Sequence, residues 1–250
     1  MRRGRITATM LTVPELARVH DRYLSIAGLA RERFRDTLGG KLLLQSRFNA
    51  EGIALVVAAS IAGAASLCVD ADADGLRQGL RSGFIDFVVG NLDEALRILK
   101  NELRRGLPVS VGLTVNAEDS IAAMIDRGLQ PDLLCTVPQR CASIFLERGA
   151  IALPEAKPPA GSASVLQWTI AEDPVRSMPH LARIASDCLD SAGADTPARR
   201  RWLEQSPRYL GRAFGSRQCL RMTEAEIAAF LSRVRSELPS ATITRDGEKP

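Results

Sequence analysis

Four residues in one short tract have the types and spacing of a nucleotide-binding turn. The stretch KLLLQSRFNAEGIALVVAASIAGAASLCVD, residues 41–70, holds Arg47, Asn49 and Gly52 between a short apolar run and an Ala-rich segment, and Asp70 ends the next apolar run. In a strand–turn–helix–strand unit, glycine lets the backbone approach a phosphate, and the acid accepts hydrogen bonds from ribose hydroxyls. The tract therefore has the layout of a dinucleotide site or of the remains of one, because one glycine stands where about three are usual.

The pattern around this tract predicts alternating strands and helices. Apolar runs of strand length (LLLQ, SLCVD, FIDFVV, PVSVGLTV and PDLLCTV) are separated by segments with helical spacing. Asn91 and Gly106 are typical of the start and the end of a helix. Repeated β-α-β units with apolar strands imply a parallel sheet covered on both faces. We therefore expect a doubly wound α/β domain of the Rossmann type.

The rest of the chain divides by composition. A helical segment over residues 1–37 precedes the α/β domain, which we place at 38–153. The Pro-rich stretch at 154–163 is typical of a linker, and the pattern over 164–239 is helical. Residues 240–250 have the composition of a disordered tail. The predicted fold is thus a Rossmann-like doubly wound parallel sheet with an N-terminal helix and a small helical C-terminal region.

Composition and charge argue against several classes of function. The chain has 250 residues, 46% of them hydrophobic, which is enough to bury a sizeable core. Its net charge is +4, but the 33 basic and 29 acidic residues are interspersed, so we expect no nucleic-acid partner. The longest apolar run, Ile53 to Val69, is broken by small and polar residues and is short for a membrane span. We expect a cytoplasmic protein that does not bind a membrane.

The titratable residues form no recognisable catalytic set. The five cysteines are odd in number and include no CxxC pair, which predicts free thiols in a reducing compartment. His20 and His180 have no evident partner for a triad or a zinc site. The carboxylates Asp70, Asp72 and Asp74 lack the spacing of a calcium loop. The sequence therefore predicts no metal and identifies no catalytic residue.

Residues 22–135 resemble the urocanase (urocanate hydratase) family. The tract GKLLLQSRFNAEGIALVVAASIAGAASLCVD is similar, without a gap, to the family's glycine loop with its flanking strands. LRSGFIDFVVGNLDEALRIL and RRGLPVSVGLTVNAEDSIAAMIDRGLQPDLL resemble the two tracts that follow in the family. By this resemblance the chain is identified as a divergent member of the family, shorter than a complete urocanase.

The resemblance implies an activity, a cofactor and an assembly. Urocanases are carbon–oxygen lyases that hydrate urocanate in histidine breakdown, use tightly bound NAD as an electrophile and form homodimers. The implied partners are therefore NAD, urocanate or a related anion, and a second copy or another urocanase-type chain. We expect the residues that contact the cofactor to lie in the turns after the strands: Arg47, Asn49, Gly52, Asp70, Asn116 and Ala117.

The chain departs from the family's motifs at two places. The family's GLGGMGG is replaced by RFNAEGI, in which the side chains of Phe48, Asn49 and Ile53 would crowd a phosphate and Glu51 would repel it. The family's DQTSAHDP becomes TVPQRC at 136–141. Two functions therefore stay open. The chain is an NAD-dependent urocanate hydratase with a degraded cofactor loop, or a non-catalytic urocanase-like domain that binds another small anion or a partner protein.

Three of the predicted site residues have a second, structural interpretation. Asp70 could cap the short helix that follows it, because DADADG has the composition of a turn and a cap. Asn116 could simply cap the helix AEDSIAAMI. Arg47 is either a ligand for phosphate or carboxylate at the sheet edge or an exposed loop arginine.

Overall fold

The chain folds into two compact units. The computed structural model describes residues 15–153, 164–170, 173–210 and 214–245. The first unit, called here the Rossmann-like unit, is Leu38–Leu153. The second unit combines Glu15–Thr37 with the described residues after 163. The linker expected at 154–163 lies outside the described residues.

Six parallel strands form the sheet of the Rossmann-like unit. They are β1 Leu42–Gln45, β2 Ala65–Val69, β3 Phe87–Val89, β4 Ser110–Leu113, β5 Leu133–Cys135 and β6 Ile151–Ala152. Their order across the sheet is β3-β4-β2-β1-β5-β6, and every neighbouring pair is parallel. The helices between them are α2 Ala50–Ala62, α3 Ala73–Ser82, α4 Leu92–Arg105, α5 Ala117–Asp126 and α6 Gln139–Glu147. The predicted Rossmann-like, doubly wound fold is confirmed.

Burial follows the apolar character of each element. Every residue of β1, β2 and β4 is buried, because these strands lie inside the sheet with helices on its faces. The helix α2 is buried almost all round, which matches a sequence that is apolar on every side. In contrast, α4 buries only Ala95, Leu96 and Leu99 and turns its charged side chains outward.

Side-chain caps fix where the helices begin. Asn49, Asp72, Asn91 and Asn116 stand at the N-caps of α2, α3, α4 and α5, and each side chain accepts a hydrogen bond from a backbone N–H of the first turn. These four helices therefore all begin at the same edge of the sheet. This is the edge where the strands end, so the loops that could bind a ligand are held in fixed positions.

The strand order creates a topological switch point between β1 and β5. From β1 the chain crosses to β2 on one side, whereas from β5 it continues to β6 on the other side. The carboxyl ends of β1 and β5 are neighbours, and the loops that leave them diverge. In open α/β sheets, ligands bind in the crevice at such a point.

The second unit contains an antiparallel sheet that the sequence did not indicate. Its elements are α1 Leu16–Arg33, β7 Ser164–Thr169, α7 Pro174–Asp187, α8 Thr196–Tyr209, β8 Arg217–Met222, α9 Glu224–Glu237 and β9 Thr242–Arg245. The strand order is β8-β7-β9. The structure thus differs from the expectation of helices alone. Residues 242–245 of the tail expected to be disordered form β9, whereas residues 246–250 lie outside the described residues. The β-branched residues of Thr242–Arg245 suit a strand once β7 supplies an edge to pair with.

The predicted N-terminal helix is present and packs within the second unit. The Tyr23 hydroxyl donates to the Ala198 carbonyl oxygen at 2.8 Å, and Asp21 forms a two-point ion pair with Arg221 of β8. None of the helices among the described residues has the length and apolar character needed to cross a membrane. All five cysteines are free thiols, as the sequence predicted.

A fully buried histidine marks the core of the second unit. The His20 ring lies edge-on to Trp202, with ring centroids 4.7 Å apart. Neither ring nitrogen has a hydrogen-bond partner in the described part of the chain. Burial, assisted by the positive charges of Arg221 and Arg199, lowers the pKa of His20 to about 3.

We expect the stability of the protein to fall in mild acid because of His20. An unfolded histidine takes up its proton near pH 6.5, but the folded one does so only near pH 3. Between these values the unfolded chain binds one more proton, so the free energy of unfolding falls by about 1.4 kcal/mol per pH unit as the pH drops.

Urea unfolding at about pH 7.5 and about pH 4.5 measures this effect. The His20→Phe variant should lose about 2–3 kcal/mol less than the wild type over that interval. The variant His180→Gln removes the other histidine, which is only partly buried, and serves as the control. An equal loss in wild type and His20→Phe would contradict the assignment.

Candidate functional site

The ends of β1 and β5 are joined across the switch point. The Ser46 hydroxyl donates a hydrogen bond to the carbonyl oxygen of Thr136. Thr136 has a φ of 52°, in the left-handed region that β-branched residues rarely adopt. Backbone strain of this kind is found where the surrounding structure imposes it, often at binding sites. The crevice between β1 and β5 is therefore our candidate site.

The turn after β1 is closed on itself by Asn49 and Gly52. The Asn49 side chain accepts from the Gly52 N–H at 2.9 Å, and the Asn49 carbonyl accepts from the Ile53 N–H at 2.8 Å. Glu51 adds a negative charge in the first turn of α2. A phosphate at a helix N-terminus needs free N–H donors and no competing anion. At α2 a side chain already accepts from one of these donors, and a carboxylate stands beside them.

Gly52 is needed for the packing of the turn rather than for an open cradle. A Cβ at this position would overlap the carbonyl oxygen of Arg47. The Gly52 carbonyl in turn accepts from the buried side chain of Gln45 at 3.0 Å. The space that the glycine leaves is therefore filled by the backbone of the turn.

Phe48 anchors the turn from below. Its side chain is only 6% exposed, and its ring lies directly on Gly79 of α3, where a Cβ would overlap it. Ile53 is also fully buried. The expectation that these two side chains crowd the ligand side of the turn is wrong, because both point into the unit. Their effect is to hold the turn down rather than to project from it.

The Asp70 carboxylate holds this turn in place. One carboxylate oxygen accepts from the Phe48 N–H at 2.7 Å, and the other accepts from the Asp72 N–H at 3.0 Å. Asp72, not Asp70, caps α3 by accepting from the Gly75 N–H at 3.0 Å, so the capping role suggested for Asp70 is wrong. Each oxygen of Asp70 is thus bound to the backbone of its own chain, at the position where a ribose acceptor would be expected.

Asn116 and Ala117 lie farther along the same edge. Asn116 accepts from the N–H groups of Glu118 and Asp119 at 2.9 and 3.2 Å, which confirms its predicted role as a helix cap. Ala117 is the first residue of α5. Both follow β4, which β2 separates from β1. The structure brings Arg47, Asn49, Gly52 and Asp70 together at one turn, whereas Asn116 and Ala117 follow β4, which is next to β2 but two strands from β1. All six binding roles stay predictions.

The carboxyl edge of the sheet is mostly acidic. The first turns of α2 to α5 carry acids, which suits the positive end of each helix dipole. The acids at this edge, with those of the turn after β2, are Glu51, Asp70, Asp72, Asp74, Asp93, Glu94, Glu118 and Asp119. Asp74 pairs with Arg77 and Asp93 pairs with Arg127, and the remaining acids oppose the two negative charges of a pyrophosphate.

Two arginines lie in the segments that follow the two strands of the switch point. Arg47 follows β1 and Arg140 lies in the first turn of α6, and both side chains are exposed. Neither forms an ion pair with another residue of the described ranges. The helix α6 begins without a side-chain cap and has no acid in its first turn. The loop after β1 and the first turn of α6 thus place one exposed arginine each, with a helix N-terminus, after two neighbouring strands, and positive groups there favour a small anion.

Two of the cysteine thiols near the site, those of Cys68 and Cys141, are poor nucleophiles. Burial raises the pKa of Cys68 to about 12. Burial, with the negative charge of Glu118, also raises the pKa of Cys141. Since the thiolate is the reactive form, neither residue supplies a nucleophile near neutral pH. Within the described ranges, no three His, Cys, Asp or Glu side chains are grouped to hold a metal ion.

The turn after β1 does not fit NAD in the way that a glycine-rich loop does. Asn49 accepts from a donor that a phosphate would use, Glu51 opposes the phosphate charge, and Asp70 is bound to the Phe48 backbone. A glycine-rich loop offers the reverse: open N–H groups, no side chains and an acid available to ribose.

The fold and the switch-point crevice define a doubly wound α/β protein of the Rossmann class. Residues 18–139 match the family model described as the urocanase Rossmann-like domain. This part of the chain is a urocanase Rossmann-like domain, so the resemblance found in the sequence is confirmed. The match runs from α1 to the first residue of α6 and includes the whole turn after β1. The family's domain is NAD-binding, which makes the closed turn the main departure of this chain.

Three residues at the switch point were not identified from the sequence as site residues. Ser46 and Thr136 bond across it, and Arg140 stands beside it. Knowledge that β1 and β5 are neighbours would have identified all three residues. That strand order cannot be read from the local periodicity of the sequence. A threonine in the left-handed region has no sequence signal of its own.

We expect the Asp70 hydrogen bonds to stabilise the fold measurably. Asp70→Ala leaves the backbone N–H groups of Phe48 and Asp72 without their acceptor, which should lower the free energy of unfolding by about 1–3 kcal/mol. Asp74→Ala is the matched control, because that side chain is 84% exposed and pairs only with Arg77 among the described residues. It should cost about 0.5 kcal/mol or less in the same urea unfolding experiment. Equal effects of the two changes would contradict the anchoring role of Asp70.

We also expect Gly52 to tolerate no side chain. Gly52→Ala forces the Cβ against the Arg47 carbonyl and should destabilise the chain by about 1–3 kcal/mol. Gly28→Ala in α1 meets no atom within 4 Å and should be neutral or stabilising by up to about 1 kcal/mol. Thermal unfolding of both variants tests this difference. A Gly52→Ala variant as stable as the wild type would mean that the turn is open and able to rearrange.

Proposed function

We propose that this protein is a non-catalytic urocanase-like binding protein, whose switch point takes a small organic anion such as urocanate. The observation that carries the proposal is the closed turn after β1. Asn49 accepts from the Gly52 N–H, and Asp70 is bonded to the Phe48 backbone. A turn satisfied by its own chain gains little from a pyrophosphate, because binding would first have to break these bonds.

The charge at the crevice selects the size of the anion. Arg47 and Arg140 supply two positive charges beside the uncapped start of α6, while the rest of the edge is acidic. One carboxylate can accept paired hydrogen bonds from guanidinium groups there. An extended dinucleotide would instead lie along acids on neighbouring loops. A compact monoanion is therefore the ligand class that this edge favours.

The side chains at the crevice suit binding better than hydration. In the family the electrophile is NAD, and the turn here does not fit it. Both histidines of the chain belong to the second unit, so neither is a member of the Rossmann-like unit that forms the crevice. The arginines and the backbone donors at the crevice can orient a carboxylate, but none of them is a general base near neutral pH.

The alternative is the activity of the family itself, an NAD-dependent urocanate hydratase. The observation that favours it is the family match, which spans the turn and Asp70. This alternative requires NAD to displace the Asp70–Phe48 hydrogen bond and the Asn49 cap. Assembly as a homodimer, or with another urocanase-type chain, stays a prediction that light scattering can measure.

Cofactor content tests the two proposals directly. We expect protein purified without added nucleotide, then denatured, to release no stoichiometric NAD by mass spectrometry. We also expect no thermal stabilisation on adding NAD. Stoichiometric NAD together with turnover of urocanate would overturn the proposal and establish the alternative.

Calorimetric titration with urocanate tests the anion site. We expect one site per chain and about tenfold weaker binding in Arg47→Gln, since a charged hydrogen bond is lost. Arg81→Gln is the matched control, because Arg81 is an exposed arginine in the last turn of α3, at the other end of that helix. If urocanate does not bind, or if both variants bind it equally well, the proposal that urocanate binds at the crevice is contradicted.

A further inference from the structure

A groove in the second unit has the size of a small-molecule site. Its volume is about 780 Å³, and it lies between α7 and α8 beside residues 215–218 at the start of β8. Pockets that bind small ligands usually measure about 300–1,000 Å³. All of its lining residues belong to the second unit, so it is separate from the crevice between β1 and β5.

The walls of the groove are aliphatic. Both helices contribute side chains at helical spacing, so each presents one continuous face: Val175, Met178, Ala182, Leu203, Pro207 and Leu210. Leu203 and Leu210 are buried, whereas Val175 is 82% exposed. The lining named for the described residues includes no aromatic ring. Such walls suit a flexible aliphatic chain better than a planar ring, which would find no stacking partner.

Unpaired positive charge stands on both walls. Arg183 comes from α7 and Arg200 from α8, and both are exposed. Neither makes an ion pair with any other residue that the structure describes. Of the two acids in the lining, Asp187 is already paired with Arg233 at 3.1 Å, which leaves Glu204. The groove therefore combines an excess of positive charge with apolar walls.

The polar part of the floor is already fixed. Gln218 is only 2% exposed, and its amide donates to the buried Ser206 hydroxyl at 2.7 Å. Its side-chain oxygen accepts from the Cys219 N–H at 3.3 Å. Because these groups are satisfied within the protein, the floor needs no rearrangement before a ligand enters. The two arginines, rather than the floor, therefore select a charged group on the ligand.

We propose that this groove binds a small aliphatic carboxylate. The hydrocarbon chain lies against the apolar residues of α7 and α8, and the carboxylate accepts hydrogen bonds from Arg183 and Arg200. The proposal does not depend on the ligand of the Rossmann-like unit, because no residue is shared between the two sites.

Calorimetric titration of the full chain with hexanoate, octanoate and decanoate tests the proposal. We expect one site per chain and binding that tightens about fourfold for each added methylene, the increment expected for burying that group. A primary alcohol of the same length, 1-decanol, should bind at least about tenfold more weakly than decanoate, because it carries no charge for the arginines.

Matched variants locate the site. Arg200→Gln and Arg183→Gln should each weaken decanoate binding about tenfold, whereas Arg235→Gln, an exposed arginine of α9 outside the groove, should not. Ala182→Phe fills the groove and should abolish binding, while Ala229→Phe on the exposed face of α9 should leave it intact. Circular dichroism confirms that each variant is folded. Arg47→Gln should leave decanoate binding unchanged, because Arg47 is not part of the groove. The decanoate proposal and the urocanate proposal are therefore tested independently of each other.

Three outcomes would overturn the proposal. They are no binding of any carboxylate to the wild type, equal affinity for decanoate and 1-decanol, and decanoate binding that Ala182→Phe leaves intact. Stable self-association of the chain that Ala182→Phe abolishes would instead make the groove an interface between copies, and would likewise overturn it.

Discussion

The hydrogen bond from the Phe48 N–H to the Asp70 carboxylate determines what the sheet edge can do. It ties the turn after β1 to the end of β2, with the Phe48 ring seated on Gly79 of α3. Once the turn is held there, Asn49 closes the start of α2. The same acid in the same place can serve a ribose or its own backbone, and its hydrogen-bond partner decides which.

Helix electrostatics then decide where an anion can approach. Acids in the first turn stabilise α2 to α5, but together they make the edge negative. That pattern stops at α6, where Arg140 lies in the first turn after β5, the strand next to the one that Arg47 follows. A requirement of helix stability thus restricts the favourable anion position to one point of the sheet.

The fold was predictable because its signals are local, and the site was less so because its contacts are not. Apolar runs, Asn caps and terminal glycines indicated α2 to α5 and the strands between them. The direction of Phe48 and the partner of Asp70 depend on which strands are neighbours, which no local period encodes. The strands β7 and β9 were missed for the same reason, since each is stabilised by pairing with a segment distant in sequence.

The position of α1 affects how the chain is made. Residues 15–37 belong to the second unit, whose remaining described parts come after residue 163. During synthesis the whole Rossmann-like unit is complete before β8 and α8 exist to cover the apolar face of α1, which includes Val19, Tyr23 and Ile26. Since domains fold as they emerge, the first helix waits with that face exposed for the longest time of any element. A chain released from the ribosome before β8 is made would therefore contain a folded Rossmann-like unit and an α1 helix whose apolar face is exposed. Such a form is prone to association.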